Sequence, residues 1–514
     1  VRRRLSAALA LAIAVHAAPA AASLTGLDRL RAAYDAILDA RFADAEAELA
    51  DACPPAPAGA CDALGVVALW WQIQLDPDSR AMDQAIQTKA AAAIAGNQAW
   101  TVREPDRAEA WFYLAGSYGP LVEWRVLRGQ RLSAAREGNR IREALQRAIA
   151  LDPTLQDAYF GIGLYHYYAG VASAGVKFLR WLLMLPGGDR AKGLQEMLTA
   201  RDHGELLTGE ADYQLHLVYL WYEHDPVRAR QLLEQLDARH GSNPLFLERI
   251  ATIEDEYFHD HPASAARWRE LGARAAAGRT QAAAQAQARA QLGLAGELDA
   301  LDETDRAIDQ LLPLAAAPAD PFTGARAEAA LQLAEAYDRL GERGRADAEY
   351  GAAIAAAPPG DPTRVQARAQ EARARPHDPR RAAAYRASLD GWRALERGDV
   401  DRAVQLLTQA VAGAPEDLVA RYRRTRALEA AGRAADARAA LETIVAATPA
   451  APAFVRASAI VDLARAIEPT DRARATSLYR EASTIDGADP RARDDATRAL
   501  RRLQRDDVDK RHFF

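Results

Sequence analysis

The chain has 514 residues, 26% of them charged and 49% apolar, with a formal net charge of −6 and two cysteines. So much apolar material can bury a large core, which excludes a disordered tail, a collagen-like chain and a disulfide-stapled miniprotein. The mildly acidic balance gives no global field to attract nucleic acid or an anionic membrane surface.

At the N-terminus Arg2, Arg3 and Arg4 precede the apolar run from Leu5 to Val15, and the small residues Ala17 to Ser23 follow. This order predicts a secretory leader over residues 1–22, cleaved after Ala20 or Ala22, and so a periplasmic or secreted product. No later run reaches the roughly 18 apolar residues needed to span a bilayer, so no transmembrane segment is expected after cleavage. Cys53 and Cys61 flank a Pro- and Gly-rich turn, and in an oxidising compartment that spacing predicts a structural disulfide. A redox pair would favour two intervening residues instead.

From Thr25 onward, apolar-periodic stretches of 12 to 20 residues alternate with breaks that hold Gly, Pro or Asp-Pro, and no stretch has the period of a strand. One unit is clear: Leu333, Ala334 and Tyr337 on a first helix, a turn at Gly341, then Ala346, Tyr350 and Ala353 ahead of Pro358. The frame recurs with Ala403, Leu407 and Ala410, with Ala437 and Leu441, and with Ala475, Tyr479 and Ala482. This pattern resembles the tetratricopeptide repeat, a helix-turn-helix unit of about 34 residues. The resemblance implies an all-α, right-handed superhelical solenoid of about eleven antiparallel helix pairs, with protein or peptide binding as its activity.

Composition breaks divide the chain further. Residues 23–358 read as an N-terminal solenoid with enlarged, aromatic-rich central repeats. Residues 359–382 read as a linker with a short helix between Pro358 and Pro379. Residues 383–487 read as C-terminal repeats, and 488–514 as a capping helix and tail.

Catalytic constellations do not assemble, so the expectation is a non-enzyme without cofactors. The Gly170 to Lys177 run is a poor phosphate loop, with a misplaced Lys and no preceding strand. His259 and His261, next to Glu254, Asp255 and Glu256, could supply ligands to a metal or an enzyme accessory role. They fall where a turn between paired helices belongs, and solvated turn residues are the favoured reading. The segment Val176 to Leu185 offers an alternative as a peripheral membrane adaptor.

In the repeat frame the first helices line a concave groove. There Glu328, Gln332, Glu335 and Asp338 form an acidic strip, while Tyr385, Trp392, Tyr422, Arg423 and Arg426 make the candidate partner-binding groove, since aromatics beside Arg anchor peptides. An alternative groove comprises Phe112, Tyr113, Phe160, Tyr167 and Trp221, in a region aromatic enough that core packing competes with exposure. The resulting expectation is an exported scaffold that binds a protein or peptide.

Overall fold

The computed structural model describes residues 24–171, 187–447 and 451–512. Among them every regular element is an α-helix. The first eight are α1 (Leu27–Leu38), α2 (Phe42–Ala52), α3 (Ala58–Leu75), α4 (Asp83–Arg103), α5 (Ala108–Leu127), α6 (Arg131–Leu151), α7 (Ala158–Val171) and α8 (Arg190–His203). Then follow α9 (Thr208–Trp221), α10 (Pro226–Arg239), α11 (Pro244–Glu256), α12 (His261–Ala276), α13 (Ala283–Ala300), α14 (Thr304–Ala315), α15 (Ala325–Arg339) and α16 (Arg343–Ala356). The last are α17 (Val365–Arg373), α18 (Pro379–Glu396), α19 (Val400–Gly413), α20 (Leu418–Ala430), α21 (Ala434–Ala446), α22 (Ala453–Ile467), α23 (Arg472–Ala482) and α24 (Pro490–His512). In chain order the described helices form eleven pairs, with α17 and α24 standing outside the pairing. The leader segment and Val176 to Leu185 lie outside the described residues.

Local chemistry explains where the helices start and stop. The side chains of Asp225, Asn243, Asp260, Asp378, Asp399, Asp417 and Asp471 each accept a hydrogen bond from a first-turn backbone N–H, satisfying donors that have no intrahelical acceptor. At the α15–α16 turn Gly341 has φ +73°, a conformation that costs a side chain-bearing residue, and an added Cβ would meet Ala382 at 2.9 Å. Burial follows the repeat frame: Ala334, Tyr337, Ala346, Tyr350 and Ala353 are all buried, as are Ala403, Leu407 and Ala410. Small Ala side chains let paired helices approach closely, and the larger rings fill the space between successive pairs.

The chain divides into two compact units. The first comprises Val1–Ile37, Phe42–Trp70 and Gln84–Ala211, and the second Leu38–Arg41, Trp71–Asp83 and Asp212–Phe514. In the first unit a disulfide joins Cys53, just after α2, to Cys61 in the first turn of α3. There the buried Asp157 carboxylate accepts from the backbone N–H groups of Glu205, Leu206 and Leu207 at 2.9, 2.9 and 2.7 Å, fixing the approach to α9 from 48 to 50 residues away. The Tyr34 hydroxyl donates to Glu210 at 2.6 Å.

In the second unit Trp71 packs against Tyr213 and Phe246, with ring centroids 4.7 and 5.9 Å apart. Segment 359–382, read from sequence as a linker, carries α17. Its Val365, Ala369 and Ala372 are buried in the same apolar cluster as Leu333, Tyr337 and Leu389, so this short helix is an integral layer of the array. Near the C-terminus Arg493 on α24 reaches the Asp260 carboxylate at 3.4 Å, a contact between residues 233 positions apart. Gly487, at φ +71°, lies so close to the His259 carbonyl that an added Cβ would stand 2.6 Å from its oxygen.

Candidate functional site

A cleft of about 800 Å³ opens within the second unit, lined by residues of α13, α15, α16, α17 and α18 and of the turns beside them. Its lining includes Asp299, Asp302, Glu335 and Asp338 with Arg339, Arg343, Tyr350 and Tyr385, and also Arg375, His377, Asp378, Arg381, Glu416 and Asp417. Most of these charges are already satisfied. Arg339 pairs with Asp299 at 2.7 Å and with Asp302 at 3.5 Å. Arg343 pairs with Asp338 at 2.8 Å, and the same carboxylate accepts from the Tyr350 hydroxyl at 3.0 Å. Asp378 and Asp417 cap α18 and α20.

Glu335 and Glu416 differ: among the described residues neither side chain has a hydrogen bond or an ion pair. Glu335 is open to the cleft. Desolvation by the surrounding walls raises its carboxyl above the ordinary value. Burial raises Asp302 likewise. Arg375 and Arg381, also in the lining, are exposed, and neither guanidinium has an ion pair among the described residues.

The groove expected from sequence is brought together, but mostly as internal ties. Arg423 is buried; its guanidinium donates to the Asp302 backbone carbonyl at 2.8 Å and to Ser388 Oγ at 3.2 Å, and lies 5.7 Å from the Trp392 ring centroid. Burial lowers its pKa. The Tyr422 hydroxyl donates to Asp462 at 2.9 Å, and burial followed by the Asp462 charge raises the phenol. Arg426 reaches the same carboxylate at 3.0 Å and Arg465 its other oxygen at 3.0 Å, so the buried Asp462 anchors three donors. Asp462 is absent from the groove read in the sequence, although a lone carboxylate between Val461 and Leu463 on a first helix is a usable signal. Tyr385 alone of the five lines the cleft, with its hydroxyl 2.7 Å from Thr304 Oγ1.

Two expected strips need correction. Phe112, Tyr113, Phe160 and Tyr167 are core residues, 0 to 9% exposed, because successive helices close over both sides of α5 and α7. Trp221 is 55% exposed at the end of α9. In the acidic strip, Glu328 is held by Arg368 at 2.7 and 3.0 Å and Asp338 by Arg343, which leaves Glu335 as the unpaired carboxylate.

At the α11–α12 turn His259 is exposed in a left-handed conformation and takes no part in the cluster that forms nearby. His261 instead lies with Nδ1 2.9 Å from Glu297 and 3.1 Å from Asp255. Glu297, on α13, is invisible as a neighbour in the sequence because 36 residues separate it from His261. Three ligand atoms within 4.8 Å could hold a cation. The imidazolium itself already bridges the carboxylates: hydrogen bonds to Asp255 and Glu297 raise His261 from 6.5 to about 10. A metal would have to displace that proton. Of the Gly170 to Lys177 run, only Gly170 and Val171 fall within the described residues, and no described helix is long and apolar enough to cross a membrane.

Comparison with known proteins agrees with the repeat pattern. The family model described as "Tetratricopeptide repeat" matches residues 394–460, which run from the end of α18 into α22. No curated protein matches the sequence. Among solved structures, the chain is similar to a tetratricopeptide repeat protein from Parabacteroides merdae at 16% identity, over 58% of this chain and 99% of that one, with a TM-score of 0.26. It is also similar to yeast Tom70 at 11% identity, over 95% of this chain and 96% of that one, also with a TM-score of 0.26. The chain thus carries tetratricopeptide repeats, matched over residues 394–460 and set in an all-α array of helix pairs.

Proposed function

We propose that this chain is an exported, non-enzymatic scaffold that holds a protein or peptide partner in the cleft of its second unit. The observation carrying this reading is the cleft itself: an opening of about 800 Å³ among stacked helix pairs, where Glu335, Arg375 and Arg381 have no ion pairs among the described residues. Helix-pair arrays offer such surfaces to extended segments, since side chains on successive helices repeat at regular intervals. Tyr385 lines the cleft, whereas Tyr422, Arg423 and Arg426 are held inside the protein by ties to Asp302, Ser388 and Asp462, with Trp392 beside Arg423. Export is supported by the leader pattern at residues 1–22 and by the Cys53–Cys61 pairing, which suits an oxidising compartment.

Chemical cross-linking of the full chain in its native source, followed by identification of linked peptides, tests the binding reading. Cross-links concentrated on the cleft helices are expected, and failure to recover any linked protein would overturn it. N-terminal sequencing tests export: a start at Ala21 or Ser23 is expected, and an uncleaved leader would refute it.

A further inference from the structure

Trp71 to Asp76, the last turn of α3 and the residue after it, belong to the second unit and lie against the first helices of successive pairs. Trp71 is buried against Tyr213 on α9 and Phe246 on α11. The Leu75 carbonyl, which has no donor within its own helix, accepts from Gln285 and, at 2.9 Å, from Arg289, both on α13. Asp76 accepts from the backbone N–H and the hydroxyl of Thr323, at 3.0 and 2.9 Å, on the approach to α15. Arg289 is itself fixed by Glu248 at 3.2 Å, with its guanidinium carbon 4.2 Å from the Phe322 ring centroid.

A buried Trp anchor, a clamp on a helix end and a hydrogen-bonded carboxylate are the parts by which a groove recognises a helix from another chain. Here the same chain supplies the helix. The fit is incomplete: Gln74 Nε2 in the segment and Arg289 Nε in its seat are buried with no hydrogen-bond partner among the described residues, so seating the segment desolvates two donors without return. Resting on the reading of the chain as a binding scaffold, we infer that α9, α11 and α13 form a helix-docking face that the chain keeps filled with its own residues 71–76, an autoinhibitory contact. The segment leaves this face reversibly. The outside occupant that replaces it is a helix with an aromatic residue five positions ahead of a carboxylate at its C-terminal end, the spacing of Trp71 and Asp76. The cleft proposed for a partner lies at the opposite end of α13, at Asp299, and its lining does not include the segment.

Two measurements on the full chain test the inference. In hydrogen exchange, the amides of residues 71–76 are expected to exchange at least about tenfold faster than those of α11 and α13, through an opening that leaves those helices folded. In fluorescence anisotropy, a labelled peptide of residues 64–80 is expected to bind the Asp76→Ala chain about tenfold tighter than the native chain, because weakening the tethered copy raises the fraction of open seats. On that variant chain the same peptide carrying Asp76→Ala should bind about tenfold more weakly than the unchanged peptide, a difference that a merely loosened chain does not produce. Joint exchange of the segment with α11 and α13, equal binding of the peptide by the two chains, binding to neither, or equal binding of the two peptides would overturn the inference. A partner cross-linked to the cleft helices would survive any of those outcomes and leave the scaffold reading in place; absence of any cross-linked partner would bring down the scaffold reading, whatever the peptides show.

Discussion

The guanidinium of Arg423 donates to the backbone carbonyl of Asp302 at 2.8 Å, joining α20 to the α13–α14 turn across 121 residues of sequence. Asp302 sits at φ +58°, and its carbonyl is fixed in place by this bond. Arg423→Ala should therefore destabilise the second unit by about 2 to 4 kcal/mol, because Ser388 and the carbonyl lose a donor inside the protein. Arg423→Lys should recover little, since one ammonium cannot reproduce the planar fork. Chemical denaturation of the three proteins checks this; a loss confined to partner binding would contradict the internal role.

The repeat phase makes a second prediction. Ala346 and Ala403 are fully buried where paired helices come closest, so Ala346→Leu or Ala403→Leu should cost about 1 to 3 kcal/mol by overpacking. Glu371→Ala, at an exposed position on α17, should stay within about 0.5 kcal/mol. Hydrogen exchange should place the loosening in the substituted pair, and uniform protection would refute the phase.

The third prediction concerns pH. In the folded protein His261 keeps its proton up to about 10, against an ordinary value of 6.5. The folded state therefore binds the extra proton, and the stabilisation is complete below pH 6.5 and fades as pH rises toward 10. Melting temperature should fall over that window in the native protein and fall less in His261→Gln. The ring's NMR titration should show the high midpoint directly; a midpoint near 6.5 would remove the bridge to Asp255 and Glu297.

Tyr113 supplies the fourth. Its hydroxyl is buried without a hydrogen bond, and burial pushes the phenol well above its ordinary value. Tyr113→Phe removes a polar atom that gains nothing and should be neutral or stabilising by up to about 1 kcal/mol. A clear loss of stability would mean that a water or another donor serves that oxygen.

What is legible in the sequence divides by the distance along the chain over which each role is set. The Leu333-Ala334-Tyr337 and Ala346-Tyr350-Ala353 stripes are local, with each residue's role fixed by neighbours one or two helical turns away, and the repeat frame follows from them. Cys53 and Cys61 are legible for the same reason. Arg423 passes for groove lining because its acceptor on Asp302 lies 121 residues upstream, and a basic residue on an inner face looks the same whether it faces solvent or a carbonyl. Adjacency groups Asp255 and His261 with His259, yet His259 turns away in a left-handed conformation and Glu297 arrives from another helix. Glu335 stands in the expected acidic strip, but its distinction from Glu328 and Asp338 depends on Arg368 and Arg343, whose placement only the fold reveals.

Where Arg493 meets Asp260 and Gly487 lies against the His259 carbonyl, the second unit touches itself after its helix pairs have come around. Gene segments that encode repeats commonly duplicate or drop out, and an open-ended array would tolerate a pair more or a pair fewer. Here the tally between α12 and α24 is counted by the contact. Losing one pair would leave Arg493 short of Asp260, and gaining one would carry it past. Descendants of this chain should therefore vary freely in loop length and surface charge while keeping the number of helices between those two points, and Gly487 should be among the last residues to change.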